Sequence, residues 1–213
     1  PVASRPSAPT TAVHGRVCIV QPLLARHPLS PSFTYRSTGL IGTSMADYRD
    51  TVTELYAAAA REAQPKLCCT QTPVWKLPGL SVPRAMLERN YGCGTTISPR
   101  DLADVQRVLY IGVGAGMEAL QLSYFVRQPG GVIGVDLVDE MLATARSLLA
   151  EAARENPWFD PSFIDLRKGD ALALPVESES VDLAAQNCLF NIFTRAHLLQ
   201  ALKEVHRVLR PHG

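Results

Sequence analysis

The sequence predicts an α/β protein built on a mostly parallel sheet with helices on both faces. Three observations carry that prediction. From residue 108 onward, short aliphatic runs alternate with stretches at helical spacing, the order of repeated β-α-β units. The first run passes straight into a glycine cluster, Gly112-Val113-Gly114-Ala115-Gly116, ahead of a helical stretch. The second run ends in an acid, Asp136, placed after that cluster at the spacing of a βαβ unit.

Taken in order, residues 1–46 hold Arg5, Arg16, Arg26 and Arg36 but neither Asp nor Glu. Residues 1–44 read as a disordered leader, either an organelle transit peptide or translated sequence upstream of a start at Met45. Both readings leave this segment outside the catalytic fold and make Cys18 incidental. Residues 45–100 form an N-terminal helix and a cysteine-bearing cap. Tyr48, Val52, Leu55 and Ala59 recur at helical spacing, and the helix fades by Gln64-Pro65. Next comes a loop carrying Cys68-Cys69 and punctuated by Pro and Gly as far as Pro83; Val74, Trp75, Leu77 and Leu80 are costly to expose, so it must pack. A short helix over 84–89 precedes Asn90-Tyr91-Gly92-Cys93-Gly94.

The remainder, 101–213, is the cofactor domain. The spacing predicts strands over 108–111, 132–136, 163–167 and 181–187, with helices over 117–128 and 139–156. Leu198, Leu202, Val205 and Leu209 mark a last helix. A sheet of this kind normally continues past the helix that ends at Pro211, so the chain is expected to be a fragment whose C-terminal strands are missing.

With 46% hydrophobic residues in 213, the chain can bury one sizeable core. Twenty-one basic against twenty acidic residues give a net charge of +1, which predicts neither a nucleic-acid nor a membrane partner. No apolar run reaches the roughly 20 residues that cross a bilayer. Five sparsely placed cysteines fit free thiols in a reducing compartment better than a disulfide scaffold. The expectation is a cytoplasmic monomer, or a plastid or other organellar one if the leader is a transit peptide. No Cys-x-x-Cys pair is present, which disfavours a structural zinc and predicts no metal.

Spaced glycines in a first βα turn let backbone approach a ligand and aim a helix N-terminus at it. Met117 stands where a dinucleotide fingerprint wants another glycine, which points away from a pyrophosphate. Asp136 is placed either to accept from the ribose hydroxyls or to cap the helix beginning near Asp139. Asp170, in the segment after the third strand, is placed either on an adenine amino group or as a turn aspartate. Together these features fit S-adenosylmethionine better than NAD or FAD. Cys188 falls at the carboxyl end of the fourth strand, facing the crevice, where it is a functional thiol or a small buried hydrophobe.

Read together, Asn90-Tyr91-Gly92-Cys93-Gly94, the Cys68-Cys69 pair and Gln186-Asn187-Cys188-Leu189-Phe190-Asn191 resemble the arsenite S-adenosylmethionine methyltransferases. The branch associated with arsenosugar biosynthesis is the most similar: its members share the Ile111-Gly112-Val113-Gly114 type of turn and a Leu-Pro-Gly-Leu segment, as at 77–80. The resemblance covers about 48–213 and departs at His212, where a glycine is usual. It implies a Rossmann-like class I methyltransferase fold and methylation of arsenite, in detoxification or arsenosugar synthesis. It implies that Cys68 (or Cys69 in its place), Cys93 and Cys188 are the arsenic-binding thiolates. It also implies that Tyr91, Gly112, Gly114, Gly116, Asp136, Asp170, Ala171 and Asn187 border S-adenosylmethionine. The partners it implies are arsenite or a thiol-conjugated trivalent arsenical, and a thiol reductant such as glutathione or thioredoxin.

Trivalent arsenic is soft, so thiolates displace its oxygen ligands and leave its lone pair exposed as the nucleophile. Attack by a lone pair needs no general base, and His197, His206 and His212 read accordingly as surface residues. Cys93 and Cys188 are expected to gain from helix N-termini. Two rival readings are a class I methyltransferase acting on nitrogen, oxygen or carbon of another small molecule, and a non-catalytic thiol-based metalloid binder. Only the thiols separate the first of these from the arsenical reading.

Overall fold

The computed structural model describes residues 17–18, 47–64, 76–91, 97–211 and 213. Its centre is a parallel sheet of β1 (Val17–Cys18), β2 (Val108–Ile111), β3 (Val132–Asp136), β4 (Ile164–Lys168) and β5 (Leu183–Gln186), in the order β1-β5-β2-β3-β4. The strands β2, β3 and β5 read as near-continuous apolar runs because both faces of the sheet are covered there, whereas the edge strand β4, Ile-Asp-Leu-Arg-Lys, buries only Ile164. Side chains alternate across it: Val108, Tyr110, Val132, Leu183 and Ala185 enter one core, and Leu109, Ile111, Ile133, Val135 and Ala184 enter the other. The first core is closed by α2 (Arg84–Glu88), α3 (Met117–Ser123) and α4 (Asp139–Glu155). The second is closed by α5 (Arg195–Val208) and the β4–β5 connection, through Ala171, Leu174, Val176, Val205 and Val208. Each fully buried aliphatic side chain stabilises the fold by about 1.5–3 kcal/mol.

The chain winds outward from β2 through β3 to β4, then returns to place β5 on the other side of β2. That reversal opens a crevice beyond the carboxyl ends of β2 and β5, the place where open α/β sheets bind ligands. Helix α1 (Asp47–Arg61) lies over it, packing Ala57, Ala59 and Ala60 against Val138 and Met141 at the start of α4.

Several expectations shift at their edges. The helix predicted over 117–128 ends at Ser123, where Tyr124 N–H turns back to Gln121 O at 3.2 Å. The Tyr124 ring then packs edge-on against Phe125 and Trp158, and the Arg127 guanidinium covers Tyr124 and Trp158 at 4.6 and 4.8 Å. Those contacts draw 124–127 out of helical register. The third predicted strand starts at Ile164 because Asp160 caps a 3-10 turn over Pro161–Phe163. The leader contributes a strand: Val17 and Cys18 pair with Ala184 and Ala185 on the outer edge of β5.

Of the loop ahead of α2 only 76–83 are described; Val74 and Trp75 lie outside the described residues. Leu80 and Val82 rest on the first core. Asn156, fully buried at the end of α4, accepts from Ser81 N–H at 2.7 Å and donates to Ser81 O and Ala152 O at 2.8 Å each. Trp158 and Tyr124 donate to Gly79 O and Pro78 O, both at 2.9 Å. Among the described residues no helix is long and apolar enough to cross a membrane.

Candidate functional site

A cavity opens at the carboxyl ends of β2, β3 and β5, walled by the glycine turn, the start of α4 and Asn187-Cys188-Leu189, and roofed by α1. Of the residues expected there, Tyr91, Gly112, Gly114, Asp136, Asp170, Ala171, Asn187 and Cys188 all line it. Gly116 lies just beneath, as the N-cap of α3. Cys68, Cys69 and Cys93 lie outside the described residues.

Gly112, Gly114 and Gly116 all take positive φ, at 77°, 52° and 89°, backbone that L side chains rarely adopt. At Gly114 the space a Cβ would enter is open cavity, so backbone there is free to meet a ligand. At Gly116 a Cβ would make only ordinary contact, 3.5 Å from Ala145 and Leu149, so the left-handed φ and not crowding calls for glycine there.

Asp136 is held from both sides. One oxygen accepts from Gly114 N–H at 2.9 Å and the other from Val138 N–H at 3.0 Å, just before α4. The two roles read for it are thus both present in geometry: it borders the cavity, and it fastens the start of the next helix. Burial pushes its carboxyl pKa up, and the N–H groups of Val138, Gly114 and Leu137 pull against that without reversing it. Asp170 also faces the cavity, with one oxygen accepting from Leu172 N–H at 2.9 Å. Its other oxygen takes the Arg49 guanidinium of α1 at 2.5 Å. Tyr91 contributes its ring to the wall, while its hydroxyl donates to Ala59 O at 3.1 Å and accepts from Gln64 N–H at 3.0 Å.

Cys188 is a free, half-buried thiol with φ at +59°, a left-handed conformation for a non-glycine residue. Directly after it the chain forms a 3-10 turn, Leu189–Ile192, and no long helix, so the expected gain from a helix N-terminus is corrected for this residue. Its Sγ donates instead to Asn187 Oδ1 at 3.3 Å. The buried Gln186 side chain accepts from Phe190 N–H at 3.1 Å and fixes the turn.

Sequence reasoning missed two parts of this site. The first is Glu118, an acid in the opening turn of α3 that is 8% exposed and lines the cavity. It accepts from the Tyr110 hydroxyl and, at 3.1 Å, from Asn187 Nδ2. Burial first, and then the Glu118 charge, hold the Tyr110 phenol well above its ordinary value, so it stays a donor. The second is the inner face of α1, which brings Tyr48, Arg49, Val52 and Tyr56 to the cavity. His197 proves to be half-buried rather than a plain surface residue: its Nδ1 bonds the Tyr48 hydroxyl at 2.5 Å and its ring stacks on Tyr48. His206 is exposed as expected, and His212 lies outside the described residues. Among the described residues no three His, Cys, Asp or Glu side chains gather to hold a metal ion.

Residues 108–213 match the family model described as a methyltransferase domain. The arsenite methyltransferase of Halobacterium salinarum is 34% identical over 122 residues, 57% of this chain and 29% of that protein. The arsenite methyltransferase of Aquipseudomonas alcaligenes is 33% identical over 149 residues, 68% of this chain and 42% of that protein. The demethylmenaquinone methyltransferase of Lactococcus lactis is 34% identical over 106 residues, 50% of this chain and 38% of that protein. Among solved structures, phosphoethanolamine N-methyltransferase 1 of Haemonchus contortus shares the fold, with a TM-score of 0.50 and 19% identity over 79% of this chain and 31% of that one. The chain spans less than half the length of these relatives. With the glycine turn, the strand-end acid and the switch-point cavity in place, the chain belongs to the class I S-adenosylmethionine-dependent methyltransferases. Its cofactor is accordingly S-adenosylmethionine, and the open space above Gly114 beside Asp136 suits it.

Proposed function

We propose that this chain carries methyl transfer from S-adenosylmethionine to trivalent arsenic held by cysteine thiolates. One observation supports this above the others: Cys188 lines the same cavity as the glycine turn and Asp136. Similarity to two arsenite methyltransferases at 33–34% identity points the same way. In this reading Cys93 and Cys68, or Cys69 in its place, complete the arsenic-binding set with Cys188. Arsenite, or a trivalent arsenical carried on small thiols, is the substrate, and glutathione or thioredoxin regenerates the thiols.

Bound in the cavity, the cofactor supplies an electrophilic methyl group. The chain's own residues do the rest. Gly112, Gly114 and Gly116 bring backbone close enough to seat it. Asp136 accepts from the ribose hydroxyls, Asp170 and Ala171 flank the base, and Tyr91 and Asn187 close the two sides. Asp170 reaches the base only when the Arg49 guanidinium yields or shares its oxygen. Cys188, fixed by the turn after β5, holds the arsenic over the cavity, and positioning of that kind can supply about 7–11 kcal/mol of a barrier.

The test is direct. Incubated with arsenite, S-adenosylmethionine and a thiol reductant, the protein is expected to yield methylated arsenic, and Cys188→Ser to yield none while binding the cofactor as before. Methylated arsenic formed equally by both proteins would overturn the reading. A second reading, methylation of carbon, nitrogen or oxygen in another small molecule, is favoured by the match to the Lactococcus lactis demethylmenaquinone methyltransferase. In that case Cys188→Ser leaves turnover intact.

A further inference from the structure

We propose that Glu118 is a positioning residue for Cys188, acting through Asn187. Its buried carboxylate sets the direction of the Asn187 carboxamide, and so keeps the Cys188 S–H donating into Asn187 at rest. The inference rests on the arsenical reading for its purpose but not for its geometry.

The polarity is dictated by what each group can do. A carboxylate only accepts, so every group facing Glu118 must donate to it. Tyr110 does so with its hydroxyl, and Asn187 can do so only with Nδ2, which lies at 3.1 Å. Turning Nδ2 toward Glu118 leaves Oδ1 pointing the other way, where Cys188 Sγ stands at 3.3 Å. An amide oxygen offers no proton, so the sulfur must bring its own. Glu118 at 8% exposure is the buried end of this chain of contacts, while Asn187 and Cys188 line the cavity half-buried, so it is the match to the Glu118 carboxylate that is costly to lose. The left-handed backbone at Cys188 is a second, independent sign. Such strain persists where the surroundings over-determine it, and here it turns the side chain back toward Asn187.

The arrangement gives the first ligand exchange its proton. When Cys188 meets arsenite, an arsenic–sulfur bond forms, an arsenic–oxygen bond breaks, and the thiol proton leaves with the hydroxide as water. With a thiol-conjugated arsenical the same proton leaves on the departing thiolate as free thiol. Arsenic stays trivalent throughout, and no base or redox partner is consumed.

The experiment reads the thiol itself and contains no arsenic. The S–H stretching band of Cys188 is identified in the infrared spectrum as the band lost in Cys188→Ser. In Glu118→Gln, which keeps the shape but removes the charge, Asn187 is no longer forced to present oxygen to sulfur. The Cys188 band is expected to move, and alkylation of Cys188 by iodoacetamide to quicken about fivefold, the equivalent of one net hydrogen bond of about 1 kcal/mol. Asn187→Ala is expected to move the band the same way with Glu118 intact, and the double variant to add nothing further. An unmoved band and an unchanged alkylation rate in folded Glu118→Gln would overturn the proposal. If that variant fails to fold, an unmoved band in Asn187→Ala does so equally. Because methylation of arsenite is assayed separately, the band can shift as expected while the arsenical reading fails, and the reverse.

Discussion

Asp136 concentrates two demands in one carboxyl group. It anchors Gly114 and the start of α4, and in the proposed reading it is also the acid that meets the ribose. Asp136→Ala is expected to raise the dissociation constant for S-adenosylmethionine tenfold to a hundredfold, roughly what hydrogen bonds to a charged group supply; an unchanged constant would refute the ribose role. The raised pKa adds a direction. Its native value lies above the ordinary 3.8, so the folded state holds the proton more tightly than the unfolded one. Asp136 therefore costs the ligand-free fold stability as pH rises from 3.8 through the native value, and cofactor binding tightens over that same rise. At this scale the glycines, Asp136, Asn187 and Cys188 were legible because each sits where a buried strand ends. Glu118 was not: an acid in a helix's first turn reads as a complement to the dipole. Only the register of β2 brings the Tyr110 hydroxyl onto it.

Among elements, β2 to β5 were legible to within two residues: β2, β3 and β5 are apolar runs buried on both faces, and the more polar β4 follows from its place in the repeated β-α order. The placement of α1 was not, since the apolar stripe of that helix does not say which wall it covers. It rests on the packing of Ala57, Ala59 and Ala60 against Val138 and Met141, with Tyr48 to His197 and Arg49 to Asp170 as polar contacts at its start. The cap segment is fastened by the fully buried Asn156 together with Trp158 and Tyr124. Asn156→Ala leaves Ser81 N–H and Ser81 O without their partner, and is expected to cost about 1–3 kcal/mol of stability, measured by denaturant unfolding. A cost below a few tenths would mean that Trp158 and Tyr124 hold the segment unaided. The early end of α3 was illegible for a related reason: Trp158, which meets the Tyr124 ring edge-on, lies far from it in sequence, and that tertiary contact competes with helix propensity.

For the whole molecule, the strand order alone predicts where a ligand binds, because winding one way to β4 and back to β5 leaves a crevice at the reversal. The pairing of Val17–Cys18 with the far edge of β5 was not foreseen, since the leader shows no strand period. In the proposed reading, trivalent arsenic is taken up by Cys188 inside this crevice. The most direct test is site-resolved alkylation of Cys188, read by mass spectrometry, with and without arsenite, in protein saturated with S-adenosylmethionine. Arsenite is expected to slow Cys188 modification at least tenfold while exposed lysines react as before. Modification at the same rate with and without saturating arsenite would contradict that reading.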